Sequence, residues 1–306
     1  MKQCVTRVIV ALALLDGVFL LLAMVFSAQT TDGQSKLLVV SASPGADDTP
    51  MDSHYDQLVE QVAPFSGTTI PVRWGDMGQK LVEVGAIDMD KILSLYGDLN
   101  DEQLEILQGD TLEQITFTPE NIQFWTNVLW SLGLTQESKV LTTGPMKQRE
   151  AEIPLDNYAS TGGWTLGSKP ATELYNSTRL ISLTAEQDAM IYRAAENIYR
   201  PCCGNHTAYP DCNHGMAVLG LLELMASQGA AEAELYQAAL AFNSYAFRGD
   251  YVMLAAYFSQ EGVLWSDVDP RSVLSIEYSS GRAAQEIAAR VGTIPGMPGQ
   301  SGSCGT

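Results

Sequence analysis

Hydrophobic periodicity divides the chain into parts. Residues 8–28 form an apolar run behind Lys2 and Arg7, interrupted by Asp16. A run of about 21 residues has the length a helix needs to cross the hydrocarbon core, and exceeds the roughly 7–15-residue core of a cleaved signal peptide. Basic residues on its N-terminal side predict an uncleaved anchor, with the N-terminus cytoplasmic and the remainder exported. Ionised, Asp16 would cost about 2.5–3.5 kcal/mol there; protonated, it is outweighed by its apolar neighbours. Residues 1–29 therefore read as a cytoplasmic tip and transmembrane anchor. Residues 30–66, which open rich in Ser, Asp, Gly and Pro, read as a stalk or linker.

From Gly67 the pattern reads as helical, and residues 67–180 as a helical region with an irregular connection. Asp76, Asp88 and Asn100 each stand ahead of an apolar-periodic segment as helix starts. Thr118-Pro119-Glu120 predicts another start, a capping hydroxyl followed by Pro at the first helical position. Behind it Phe124, Trp125, Val128, Leu129 and Trp130 recur at helical spacing. Such a stripe is read as core rather than as a ligand platform. Residues 135–180 are poorly periodic, with Gly144-Pro145, Gly162-Gly163 and Pro170 as turn signals.

Residues 181–291 carry the clearest helical signal and predict a C-terminal bundle. Thr184 and Gln187 form a capping-box pattern, and that helix should end at Arg200, before Pro201. Residues 216–226 are apolar apart from Glu223, which predicts a central core helix too short to span a bilayer. Gly215, Ala217 and Gly220 would let a second helix approach it closely. Segments 235–247, 251–258, 271–276 and 283–291 supply further helices, with Arg248-Gly249-Asp250 as a turn between two of them. Residues 292–306, rich in Gly, Pro and Ser, read as a flexible tail. The predicted fold is thus mainly α: an N-terminal transmembrane helix plus an exported helical ectodomain with a C-terminal helical bundle.

Charge narrows the function. With 17 basic and 36 acidic residues the chain carries a net charge of −19. No cationic excess is available to neutralise phosphates, which argues against nucleic acid as a partner and against docking on an anionic leaflet. Dinucleotide, P-loop, nucleophile-elbow and zincin signatures are absent, as are C-x-x-C and C-x-x-C-H.

The candidate chemistry lies in one loop. Cys202, Cys203, His206, Cys212 and His214 place three of the 5 Cys and two of the 3 His within 13 residues, between two predicted helices. Three readings of this loop stay open. As a metal site it offers enough thiolate and imidazole ligands for zinc, or for copper(I) with Met216 nearby. As a disulfide staple, Cys212 paired with Cys202 or Cys203 would close a loop of about ten residues, worth roughly 2–3 kcal/mol, but the histidines would go unexplained. As a thiol catalyst, Cys212 stands at a helix N-terminus with histidines nearby. The leading expectation is a membrane-anchored, extracytoplasmic protein binding zinc or copper through these five residues. Its partners would be the metal ion and, through the anchor, another membrane protein. A disulfide-stapled interaction scaffold and a thiol oxidoreductase stand as alternatives.

Overall fold

The computed structural model describes the backbone of residues 24–29 and 35–40 and, in full, residues 54–298. The chain divides into two compact units, residues 1–50 and 51–306. In the first, β1 (Met24–Gln29) and β2 (Ser35–Val40) pair antiparallel, from Met24 opposite Val40 to Gln29 opposite Ser35. The apolar run expected to form a membrane anchor lies outside the described residues up to residue 23, and its last residues belong to β1. Among the described residues no helix is long and apolar enough to cross a membrane.

The second unit is mainly helical. It opens with α1 (His54–Val62), β3 (Thr68–Gly75), α2 (Met77–Glu83), α3 (Met89–Tyr96), α4 (Asp101–Gln108) and β4 (Thr111–Phe117). Then come α5 (Ile122–Thr135), the short helices α6 (Lys139–Thr143), α7 (Pro145–Gln148) and α8 (Ala171–Leu174), and α9 (Ala185–Ala195). The bundle closes with α10 (Asn213–Ser227), α11 (Glu232–Ala246), α12 (Arg248–Gln260), α13 (Pro270–Val273), α14 (Ile276–Ser279) and α15 (Gly281–Val291). A large hydrophobic core extends from Leu58 to Ile294, and a small separate cluster gathers Met146, Tyr158 and Tyr209.

Local chemistry accounts for several starts. Asp88 accepts from the amides of Asp90 and Lys91. Asn100 with Gln103 and Thr184 with Gln187 form reciprocal capping boxes, and Asp269 accepts from the Ser272 amide ahead of Pro270. Each satisfies amides that a helix start leaves without partners. Other boundaries move. Thr118 and Asn121 bond each other's amides, so the Thr118 turn closes on itself and α5 begins at Ile122. The Arg248-Gly249-Asp250 segment is the first turn of α12, separated from α11 by Phe247 alone.

Two strands replace helix in the stretch after Gly67. Ile70, Val72 and Trp74 of β3 are buried while Thr69, Pro71 and Arg73 are exposed, the period of two that one buried sheet face requires. Ile115 and Phe117 of β4 face the same core. The strands pair antiparallel with register shifts around Arg73, and Pro71, which has no amide to give, is accommodated there. Rings tie the sheet to the bundle: Trp74 and Phe117 stand edge-on to Trp125 of α5, and Phe117 edge-on to Phe242 of α11.

The most extensive helix packing in this unit is the crossing of α5 and α10. Residues 215–226 of α10 are all buried. The helices meet at Gly133 and Gly220, where a Cβ on Gly133 would stand 2.1 Å from the Met216 carbonyl, and one on Gly220 2.5 Å from the Leu129 carbonyl. Glu223 is fully buried on the same helix, and neither of its carboxyl oxygens has a hydrogen-bond partner. Burial pushes this carboxyl well above the usual range, against a smaller opposing effect of the Ser138 hydroxyl. It is therefore held as the neutral acid. At the other end, Ile294 is buried and Met297 packs against the core, while residues 299–306, with Cys304, lie outside the described residues.

Candidate metal centre

The cysteine–histidine loop is built from the end of α9 to the start of α10. Helix α9 stops at Ala195, five residues before the expected Arg200, because the loop returns to claim its terminal carbonyls. The Ala208 amide bonds the Ala195 carbonyl at 3.0 Å, and the Thr207 amide and hydroxyl both bond that of Ile198. Three further backbone bonds fix the loop from outside: Tyr199 to the Leu274 carbonyl, Gly281 to that of Cys203, and Ser160 to that of Asp211.

Arg200 organises the loop from inside. It is fully buried, a placement that stands only when the charge is paired and hydrogen-bonded. Nη2 donates to Asp211 Oδ1 at 2.7 Å and to the Tyr209 carbonyl at 3.3 Å, Nη1 to the Asn205 carbonyl at 3.1 Å, and Nε to Cys212 Sγ at 3.0 Å. Asn205 Nδ2 donates to the second Asp211 oxygen at 2.7 Å. Gly215 makes room for the guanidinium, since a Cβ there would stand 2.4 Å from Arg200 Cζ. From the sequence Arg200 reads as a helix end and not as a site residue. Its signal is that it is the lone Lys or Arg between residues 194 and 247, set beside the cysteines and an Asp.

The three thiols converge at the head of α10. Cys202, Cys203 and Cys212 are half-buried and unbridged, and their sulfurs lie within 4.8 Å of one another. Cys202 Sγ and Cys212 Sγ are 3.6 Å apart. Cys212 is the N-cap of α10, its sulfur accepting from the Gly215 amide at 3.5 Å. Hydrogen bonds from Cys202 and Cys203, then the Arg200 charge and His214, pull its pKa well below that of an ordinary thiol, against the effect of burial. Cys202 moves the opposite way, raised by its bonds to Cys203 and Cys212 and by burial. Cys203 is pushed up to about 11; its contact with Cys202 lowers it, and Cys212 and burial outweigh that. The cluster therefore holds one electron-rich sulfur, Cys212, with the Cys202 thiol against it and the Cys203 thiol close by.

The histidines stand outside this group of three. His206 packs edge-on against Tyr199, and its buried Nδ1 has no partner. Burial lowers its pKa, so it is a neutral imidazole. His214, in the first turn of α10, packs its ring on Phe247 at 4.6 Å between centroids and adds a small lowering to the Cys212 pKa.

Chemically, three sulfurs at this separation can hold a metal ion. Ligands about 2.3 Å from a tetrahedral zinc stand about 3.8 Å apart, close to the 3.6 Å between Cys202 and Cys212. Among the described residues no other three Cys, His, Asp or Glu side chains come together as tightly. No family model, curated protein or solved structure matches the chain.

Proposed function

We propose that the protein binds a soft or borderline metal ion, zinc or copper(I), through Cys202, Cys203 and Cys212. The observation that carries this reading is the convergence of the three sulfurs at a separation suited to one shared ion. Thiolates favour both metals. Arg200 supports the reading electrostatically: three thiolates bring more negative charge than either ion cancels, and a guanidinium bonded to Cys212 offsets the excess. His214, two residues past Cys212 in the first turn of α10, is the candidate fourth ligand for zinc. His206 is neutral, as a ligand must be, and would join only if the loop rearranged.

We further propose, from the length and basic flank of the run of residues 8–28, that this activity sits on the outer side of a membrane, anchored and facing away from the cytoplasm. Carbonate extraction checks the anchor: retention in the membrane pellet supports it, and release of the full chain overturns it.

Metal content measured together with a free-thiol count on protein purified without added reductant or chelator tests the binding. One equivalent of zinc or copper with the three loop thiols protected is the expected result. Reactive thiols and no metal after zinc or copper(I) addition would overturn it. Neither metal nor free thiols would instead support the disulfide-stapled scaffold.

A further inference from the structure

The polarity of the cysteine cluster exceeds what a metal site requires. Equivalent ligands would serve a metal, yet the surroundings make Cys212 unlike its neighbours. The Arg200 guanidinium at 3.0 Å and the Gly215 amide at 3.5 Å both aim N–H donors at its sulfur. Cys202, 3.6 Å away, has neither. Cys203 turns its sulfur toward the Asn205 carbonyl at 3.8 Å. One sulfur is thus set as acceptor, a second thiol stands beside it, and a third faces elsewhere. Thiol–disulfide exchange needs an electron-rich attacking sulfur and a second thiol within reach of the mixed disulfide.

We propose that the metal-free loop exchanges with low-molecular-weight disulfides, with Cys212 attacking and Cys202 resolving. In the first step Cys212 thiolate attacks one sulfur of R–S–S–R; the Cys212–S–R bond forms, the R–S–S–R bond breaks, and a thiolate R–S⁻ leaves. The Cys202 thiol gives its proton to that thiolate and its sulfur attacks Cys212 Sγ. The Cys202–Cys212 bond forms and the second R–S⁻ departs. One thiolate, one thiol and one disulfide become an internal disulfide, R–SH and R–S⁻, and two electrons pass from the cysteine pair to R–S–S–R. The sulfurs must close from 3.6 Å to about 2.05 Å. Cys212 is fixed as the cap of α10, so the movement falls to Cys202 on the loop. This inference concerns the metal-free form and does not rest on the metal reading.

The test is oxidised glutathione added to the reduced, metal-free full chain, with acid-quenched products mapped by mass spectrometry. Unaltered protein should show a transient adduct on Cys212, then a Cys202–Cys212 disulfide. Cys202→Ser should accumulate the Cys212 adduct, and Cys212→Ser should slow the reaction at least tenfold. A first adduct on Cys202 or Cys203, or a Cys202–Cys203 bond as the product, would overturn the proposal. Mapping the unaltered protein decides this even if a variant fails to fold. Preloaded zinc separates the two claims. Exchange at Cys212 that zinc neither slows nor binds alongside upholds this inference and overturns the metal reading. Zinc held by the thiols, with no Cys212 adduct in the metal-free protein, does the reverse.

Discussion

Helix α10 belongs to two regions held together by opposite means. At its middle, Gly220 meets Gly133 of α5, and the contact exists because side chains are missing. At its head, Cys212 meets Arg200, and the contact exists because a charge and its directed donors are present. Dispersion holds the first, with many weak contacts that demand fit and forgive no added atom. Hydrogen bonds to a buried cation hold the second, which forgives no lost partner. Added bulk should damage the crossing and spare the loop's chemistry; deleted charge should damage the loop and spare the crossing.

The largest expected effect is at the crossing. Leu222→Asp places an unpaired carboxylate on a fully buried face of α10 and should cost about 5 kcal/mol or more. Denaturant unfolding should find the C-terminal bundle unfolded in buffer, and wild-type stability would mean that this face is not core. Next comes Arg200→Ala, which strands Asp211 and empties a buried site. A loss of about 3–5 kcal/mol is expected, together with loss of metal binding. Arg200→Lys should not restore binding, because one ammonium cannot reach Cys212, Asp211 and two carbonyls at once. Gly220→Ala sharpens the comparison. Its Cβ meets backbone of α5, so about 1–3 kcal/mol should be lost while zinc affinity stays within a few fold of wild type. A Gly220→Ala variant that folds normally yet loses metal would show that the two regions are coupled.

Glu223 gives a pH dependence with a defined sign. Its folded pKa is raised, so the native state holds a proton that the unfolded chain releases above about pH 4.3. Stability from this group is complete below that value. It falls by about 1.4 kcal/mol per pH unit as pH rises toward the folded pKa, then levels off. Glu223→Gln should remove that slope, read by denaturant unfolding at pH 5 and pH 8. A slope unchanged by the substitution would assign it to other groups.

How much of this was legible beforehand follows from how local each signal is. Caps at Asp88, Asn100 and Thr184 act within three residues and were readable from the sequence. So were the buried stripe from Phe124 to Trp130 and the apolar helix behind Met216. The β3–β4 pair was missed although Ile70, Val72 and Trp74 alternate; Pro71 breaks the run, and the partner strand lies some forty residues on. The cysteines were readable as a cluster, but their grouping apart from His206 and His214 depends on how the loop closes. The part of Arg200 was hidden for the same reason: its four acceptors come together only when the loop returns to α9.

The smallest expected effects concern the histidines. His214→Ala should weaken zinc binding about tenfold or more if it is the fourth ligand, while His206→Ala should leave it nearly unchanged. Equal losses from both would return His206 to the coordination sphere. Zinc affinity should also fall as pH drops, since protons compete for thiolates and imidazole.

The most direct test of the central claim is X-ray absorption at the zinc edge of the zinc-loaded protein. Three sulfur neighbours at about 2.3 Å and one lighter ligand are predicted, with the sulfur count reduced in Cys212→Ser. A shell of nitrogen and oxygen alone, or a sulfur shell that Cys212→Ser leaves intact, would contradict it.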